Sequence, residues 1–144
     1  MRAAASRLSV TPVLAPVRRV EDIEGHINRH LQGRGDGALF PSDATTLAHR
    51  NVVVAAVARR GQPAVYAGRA MAVAGGLMSY AADQKEVFRR SAAYIDRILR
   101  GERPGDLPVQ QPTRYELVLN LQTAKALNLT IPPTLLARAD EGIE

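Results

Sequence analysis

The stretch DGALFPSDATTLAHRNVVVAAVARRGQPAVY, residues 36–66, decides the fold. Ala38-Leu-Phe40 is short and apolar and is closed by Pro41, which predicts a buried strand. Ser42 or Asp43 then offers the side-chain oxygen that caps a helix. That helix is predicted over 44–60, ending at Gly61. Pro63-Ala-Val-Tyr66 predicts the next strand. Strand, helix and strand at so short a spacing form a right-handed crossover unit, whose two strands run parallel.

Upstream, Val20, Ile23, Ile27 and Leu31 recur at three and four residues, which predicts a helix over 18–31. Gly33 and Gly35 stop it. Before it, Leu8, Val10, Val13 and Leu14 lie in an apolar run ending at Pro16 and predict a strand. Downstream, residues 67–76 are rich in Gly and Ala and read as a loop. Leu77–Tyr80 predicts a strand, and 84–100 a helix with Val87, Ser91, Tyr94, Ile95, Ile98 and Leu99 on one face. Residues 102–108 read as a turn. Tyr115, Leu117 and Leu119 alternate with Glu116, Val118 and Asn120, a strand with one more exposed face. Helices are predicted at 120–127 and 133–141. The expected class is α/β, a parallel sheet of about four strands with flanking helices. The strand at 77–80 and its helix are expected to lie in a different layer or to point away from the compact first part.

Composition narrows the chemistry. The 144 residues suit one domain with an ordinary core. There is no cysteine, which excludes disulfides, thiol nucleophiles and Cys-dependent zinc sites. Aromatics are 4% with no Trp, so stacking platforms for single-stranded nucleic acid are few. The net charge of +5 is carried by 17 Arg and 2 Lys, with no run longer than two. That pattern reads as a solvated surface, with a polyanion partner as the alternative. No stretch approaches the ~20 apolar residues of a membrane helix. The first residues lack the apolar core of a secretory signal, so as it stands the chain is expected in the cytoplasm.

No nucleophile elbow, dinucleotide loop or phosphate loop occurs. Catalysis and cofactors are therefore not expected. His26 and His30 are four apart on a helix, but no third ligand is placed, so no metal is expected. His49 falls on a helix surface. One constellation has merit. Open parallel sheets bind ligands beyond the carboxyl ends of their strands. Ser42 and Asp43 lie there, as do Tyr66, Arg69 and Tyr80. Asp43 as a helix cap and Arg69 as a surface residue is the competing reading.

Three segments carry a family resemblance. GGLMSY (75–80), FRRSAAYIDRILRGERPGDLPVQQPT (88–113) and YELVLNLQTAKALNLTIPPTLLARADEGIE (115–144) are similar to the C-terminal part of ABC-transporter substrate-binding proteins. The group is the tryptophan/tyrosine-uptake-like one, and 36–66 fits more loosely. The resemblance implies most of one lobe of a two-lobed type I periplasmic binding protein plus crossover segments. Residues 1–74 would form the second-lobe core, 75–112 a crossover strand and helix of the missing first lobe, and 113–144 the return. It implies a non-enzymatic, periplasmic solute-binding component of an ABC importer, in partial form. The ligand would be small and amino-acid-like, the partner a permease.

Ligand contacts are expected from Ser42, Asp43, Tyr66, Arg69 and Tyr80. The family's Gly after the Ser-Tyr pair is Ala81 here. Ala70 and Met71 replace the acidic and aromatic residues that follow its Arg. The alternatives are an inert or interaction-only fragment without a cleft, and a basic nucleic-acid-binding module. Self-association through the apolar 84–100 helix is expected, because its partners lie outside the chain.

Overall fold

A computed structural model describes residues 2–17 and 19–144. Arg18, the expected start of the first long helix, lies outside the described residues. A short helix α1 (Arg2–Arg7) leads into an extended run, and α2 spans Asp22–His30. The crossover unit follows as read: β1 (Ala38–Phe40), α3 (Ala44–Ala48), α4 (Arg50–Arg60) and β2 (Ala64–Tyr66). Then come α5 (Arg69–Val73), β3 (Met78–Ala82) and α6 (Gln84–Leu99). A 3-10 turn at Pro104–Asp106, β4 (Tyr115–Asn120), α7 (Leu121–Ala126), α8 (Pro133–Leu136) and β5 (Glu141–Ile143) complete the chain.

The five strands lie in chain order. β1, β2 and β3 are parallel, β3 and β4 antiparallel, and β4 and β5 parallel. The sheet is thus mostly parallel, with one antiparallel pair that the sequence did not announce. Ile23 and Ile27 of α2 and Leu31 just after it meet Val53, Val54 and Val57 of α4 and Tyr66 and Met71 in one buried cluster. That cluster covers one sheet face. Along one row of the register, Tyr66, Ser79, Val118 and Glu141 are neighbours and share this covered face. Val65, Met78 and Tyr80 point the other way.

Several expectations are corrected. The run 8–14 forms no strand, and Leu8, Val10, Val13 and Leu14 stand in solvent. The helix expected at 44–60 is two helices, because the backbone opens at His49 (φ −102°, ψ 27°), whose carbonyl accepts from Val53 N. The loop at 67–76 contains α5, whose Met71 and Ala72 are buried over the sheet. β3 begins inside the sheet beside β2, not in a separate layer; α6 does stand apart and has no buried residue.

β4 is buried on both faces, since α5 covers Val118 and Asn120. The last helix ends at Leu136. Asp140 donates its N–H to Leu117 O and accepts from Leu117 N, both at 2.9 Å, and pulls the chain into β5.

Asn120 joins these layers. Its Oδ1 accepts from Thr123 N at 2.9 Å and caps α7, while its Nδ2 donates to Ala72 O at 3.0 Å. Asn120→Ala removes a cap and one of two hydrogen bonds to the Ala72 carbonyl, which keeps the one from Gly75 N, so a loss of about 1–2 kcal/mol is expected in urea unfolding. Asn120→Asp keeps the cap but not the donor and is expected to be no better. Wild-type stability in both variants would contradict this account.

Candidate functional site

Pro41 ends β1 and delivers Ser42 and Asp43 beyond its carboxyl end. Asp43 is extended (φ −149°, ψ 135°) and accepts from Thr46 N at 2.9 Å, while Thr46 Oγ1 donates back to Asp43 O at 3.0 Å. The cap reading of Asp43 therefore holds, although the helix it opens is a single short turn. Beneath this turn Phe40 stacks on Tyr66, with ring centroids 5.1 Å apart. A dimple of about 20 Å³ opens above them, bordered by Ser42, Asp43, Thr46, Ala67 and Met71. That is room for about one water molecule.

Tyr66 is 1% exposed and is part of the core, not of the dimple's rim. Burial pushes its phenol well above the usual range. Gly68 (φ 153°) turns the chain after β2 and hands Arg69 to the start of α5. Arg69 forks onto Glu141 of β5: Nε to Oε2 and Nη2 to Oε1, both 2.6 Å. These bonds hold the Glu141 carboxyl below its ordinary range and raise Arg69. Glu116 adds to the field on Arg69 and Lys85 to that on Glu141. The tie is complete above the ordinary carboxylate pKa and is lost as pH falls through the lowered value. Both side chains are partly exposed, so the pair orients more than it stabilises.

Tyr80 lies on the other sheet face, half exposed, and stacks on Tyr115 with centroids 5.4 Å apart. An open groove of about 410 Å³ runs beside the pair, floored by Val65, Met78, Leu117 and Leu135 and edged by Arg138 and Asp140. The five residues singled out in the sequence thus fall in four places. Ser42 and Asp43 share one turn, Tyr66 lies beneath it, Arg69 reaches toward β5, and Tyr80 faces the groove. Sequence reasoning missed Glu141 and Tyr115. The alternation through Leu117 and Leu119 was a signal for Tyr115; Glu141 was hidden in a helix expected at 133–141.

Elsewhere, the rings of His26 and His30 stack at 6.1 Å. His26 Nδ1 is buried without a hydrogen-bond partner. Among the described residues no three His, Asp or Glu gather as metal ligands, and no helix is long and apolar enough to cross a membrane. Arg19, Arg59, Arg69, Arg89, Arg97, Arg100 and Arg114 each sit in an ion pair with an acidic side chain. Those seven charges are locally paired, which favours the solvated-surface reading over a polyanion stripe.

Known proteins share this arrangement. A crystal structure of a conserved domain protein from Vibrio cholerae O1 biovar eltor superposes with a TM-score of 0.89 at 25% identity. The match covers 98% of this chain and 47% of that one. An ABC domain from Streptococcus pneumonia in complex with L-Trp matches with a TM-score of 0.89 at 26% identity, over 98% of this chain and 48% of that one. A ligand-free, open substrate-binding protein with adhesive properties from Clostridium difficile shares the fold, with a TM-score of 0.68 at 18% identity, over 99% of this chain and 47% of that one. The chain therefore spans about half the length of these solved chains. No curated protein matches it. The family profile described as ABC transporter substrate binding protein matches residues 1–143, and the chain belongs to that family.

Proposed function

We propose that the chain is part of the solute-capturing component of an ABC importer, a non-enzymatic periplasmic protein that holds a small amino-acid-like solute for a permease. The observation that carries this reading is the sheet edge. Ser42 and Asp43 follow β1 and Arg69 follows β2, beyond the carboxyl ends of parallel strands, where open α/β sheets receive ligands. The L-Trp bound by the Streptococcus relative supports the ligand class. A zwitterion suits the charges: Arg69 complements a carboxylate and Asp43 an ammonium. Tyr66 serves as floor beneath Phe40, and Tyr80 offers an aromatic surface on the far side of the edge. In this reading residues 1–74 carry one lobe, 75–112 cross to the other, and 113–144 return.

Thermal-shift titration with the twenty amino acids tests it. With half of the family fold present, affinity is expected near millimolar, about −4 kcal/mol. Tenfold saturation then adds about 1.4 kcal/mol, a rise of a few degrees in Tm. Arg69→Ala is expected to abolish the shift, whereas Arg59→Ala, whose partner is Glu24 on α2, leaves it. Glu141→Gln frees the Arg69 fork and is expected to tighten binding several-fold. No shift with any amino acid would overturn the reading. The filled Arg69 fork favours a second one in that event, a fragment without a working cleft.

A further inference from the structure

The carboxyl edge of the parallel strands carries two carboxylates beside Arg69. β4 runs opposite to β3, so its first residues lie at the end where β3 finishes: Ala81 pairs with Glu116 and Ala82 with Tyr115. β5 runs with β4 and opens on Glu141, in register with Val118. Glu116 precedes Val118 by two residues, so its side chain leaves from the same sheet face as Glu141, one pleat nearer the edge. α5 lies over that face and brings in Arg69 as its first residue.

The two carboxylates are used differently. Arg69 forks onto Glu141 with both bonds at 2.6 Å. Glu116, half-buried, reaches Arg69 only through its field; among the described residues its carboxylate has no hydrogen bond or ion pair. The fork itself is open to solvent, the Arg69 side chain being 49% and that of Glu141 34% exposed, and exposed pairs are weak enough to yield to a competing carboxylate. Lys85 already acts on Glu141 and offers it a cation when the fork opens. Asp43 stands apart. It follows β1 at the far edge of the sheet and spends one oxygen on Thr46 N, while Arg69 turns the other way, toward β5.

An amino acid carries its ammonium and carboxylate on one carbon, so the groups that bind them have to stand side by side. Resting on the solute-capturing reading above, we propose that Glu116, rather than Asp43, receives the ammonium of the solute, while the solute's carboxylate takes the place that Glu141 holds on Arg69. Glu116 then sets specificity. It attracts a zwitterion, and it repels a plain carboxylate, whose negative charge would lie against it uncompensated.

NMR titration of the 144-residue chain near neutral pH tests it. The probes are the amino acid that gives the largest thermal shift, and the same molecule with hydrogen in place of its ammonium. For L-tryptophan the second is 3-(indol-3-yl)propionate. Glu116→Gln is expected to weaken binding of the amino acid ~10-fold and to tighten that of the desamino acid several-fold, a crossover that a merely structural loss would not give. Glu116→Asp keeps the charge and is expected to keep the preference for the amino acid. A Glu116→Gln chain that changes both probes in the same direction, or neither, would overturn the inference. A crossover in Asp43→Asn and none in Glu116→Gln would return the ammonium to Asp43 and overturn it too, with the solute-capturing reading intact. No binding of any amino acid by the wild-type chain would sink that reading and this one together.

Discussion

Gly76→Ala is expected to be the most damaging single methyl in the chain. A Cβ at Gly76 would sit 2.5 Å from Tyr66 Cε2, 2.8 Å from Tyr66 Cδ2 and 2.8 Å from Met71 O. None of these can retreat cheaply. Tyr66 is packed in the core, and Met71 O already accepts the Gly76 N–H at 2.9 Å. The conformation of Gly76 is not the issue; space is. Overpacking of this kind costs ~3 kcal/mol or more, against a total stability of ~5–15 kcal/mol. Urea unfolding measures it. A Gly76→Ala variant within ~0.5 kcal/mol of wild type, the range of ordinary surface changes, would show that α5 is free to move off β2.

Tyr66→Ala is expected to cost ~3–5 kcal/mol, the range for deleting a buried ring. The ring fills the space between β2, α4 and α5 and stacks on Phe40. Tyr66→Phe is expected to cost less than ~1.5 kcal/mol, because packing volume is kept. The two variants also separate packing from ionisation. Burial raises the Tyr66 phenol in the folded state. Stability from this group is full below the ordinary tyrosine pKa of about 10 and falls as pH rises beyond it. Tyr66→Phe is expected to flatten that alkaline loss. An unchanged alkaline slope in the Phe variant would assign the loss to other groups.

These two residues mark the border of what the sequence disclosed. The unit at 36–66 was legible because strand, cap, helix and glycine stop agree with one another, and local agreement of that kind survives folding. The run 8–14 had a strand's apolar content but no neighbour, and a strand exists only in its ladder. α5 was illegible because Ala and Gly carry no hydrophobic period, yet burial of Met71 and Ala72 fixes it. Val118 and Asn120 looked solvent-facing because nothing in β4 tells of α5 above it. In the candidate site, Ser42 and Asp43 were legible from a strand end. Glu141 was not, because its bond to Arg69 joins positions 72 residues apart. The place of Tyr66 was illegible for a related reason: a phenol at a strand end serves a cleft or a core equally well, and only the packing of α4 puts this one in the core.

The antiparallel β3–β4 pair has a further consequence for how the chain is threaded. Ala82 pairs with Tyr115, and Asp83 N donates to Arg114 O at 3.1 Å. Everything between them, α6 and its return, leaves and re-enters the sheet through one doorway. Topologically β3 and β4 are a hairpin whose loop is residues 83–114. Such a doorway is a graft point. Any element whose ends lie ~5.5 Å apart, the Cα spacing of a hydrogen-bonded antiparallel pair, fits there without shifting the register of the five strands. Insertions and losses in that excursion are therefore decoupled from the sheet, and the length of chain between β3 and β4 is free to drift while the edge that carries Ser42, Asp43 and Arg69 stays in place.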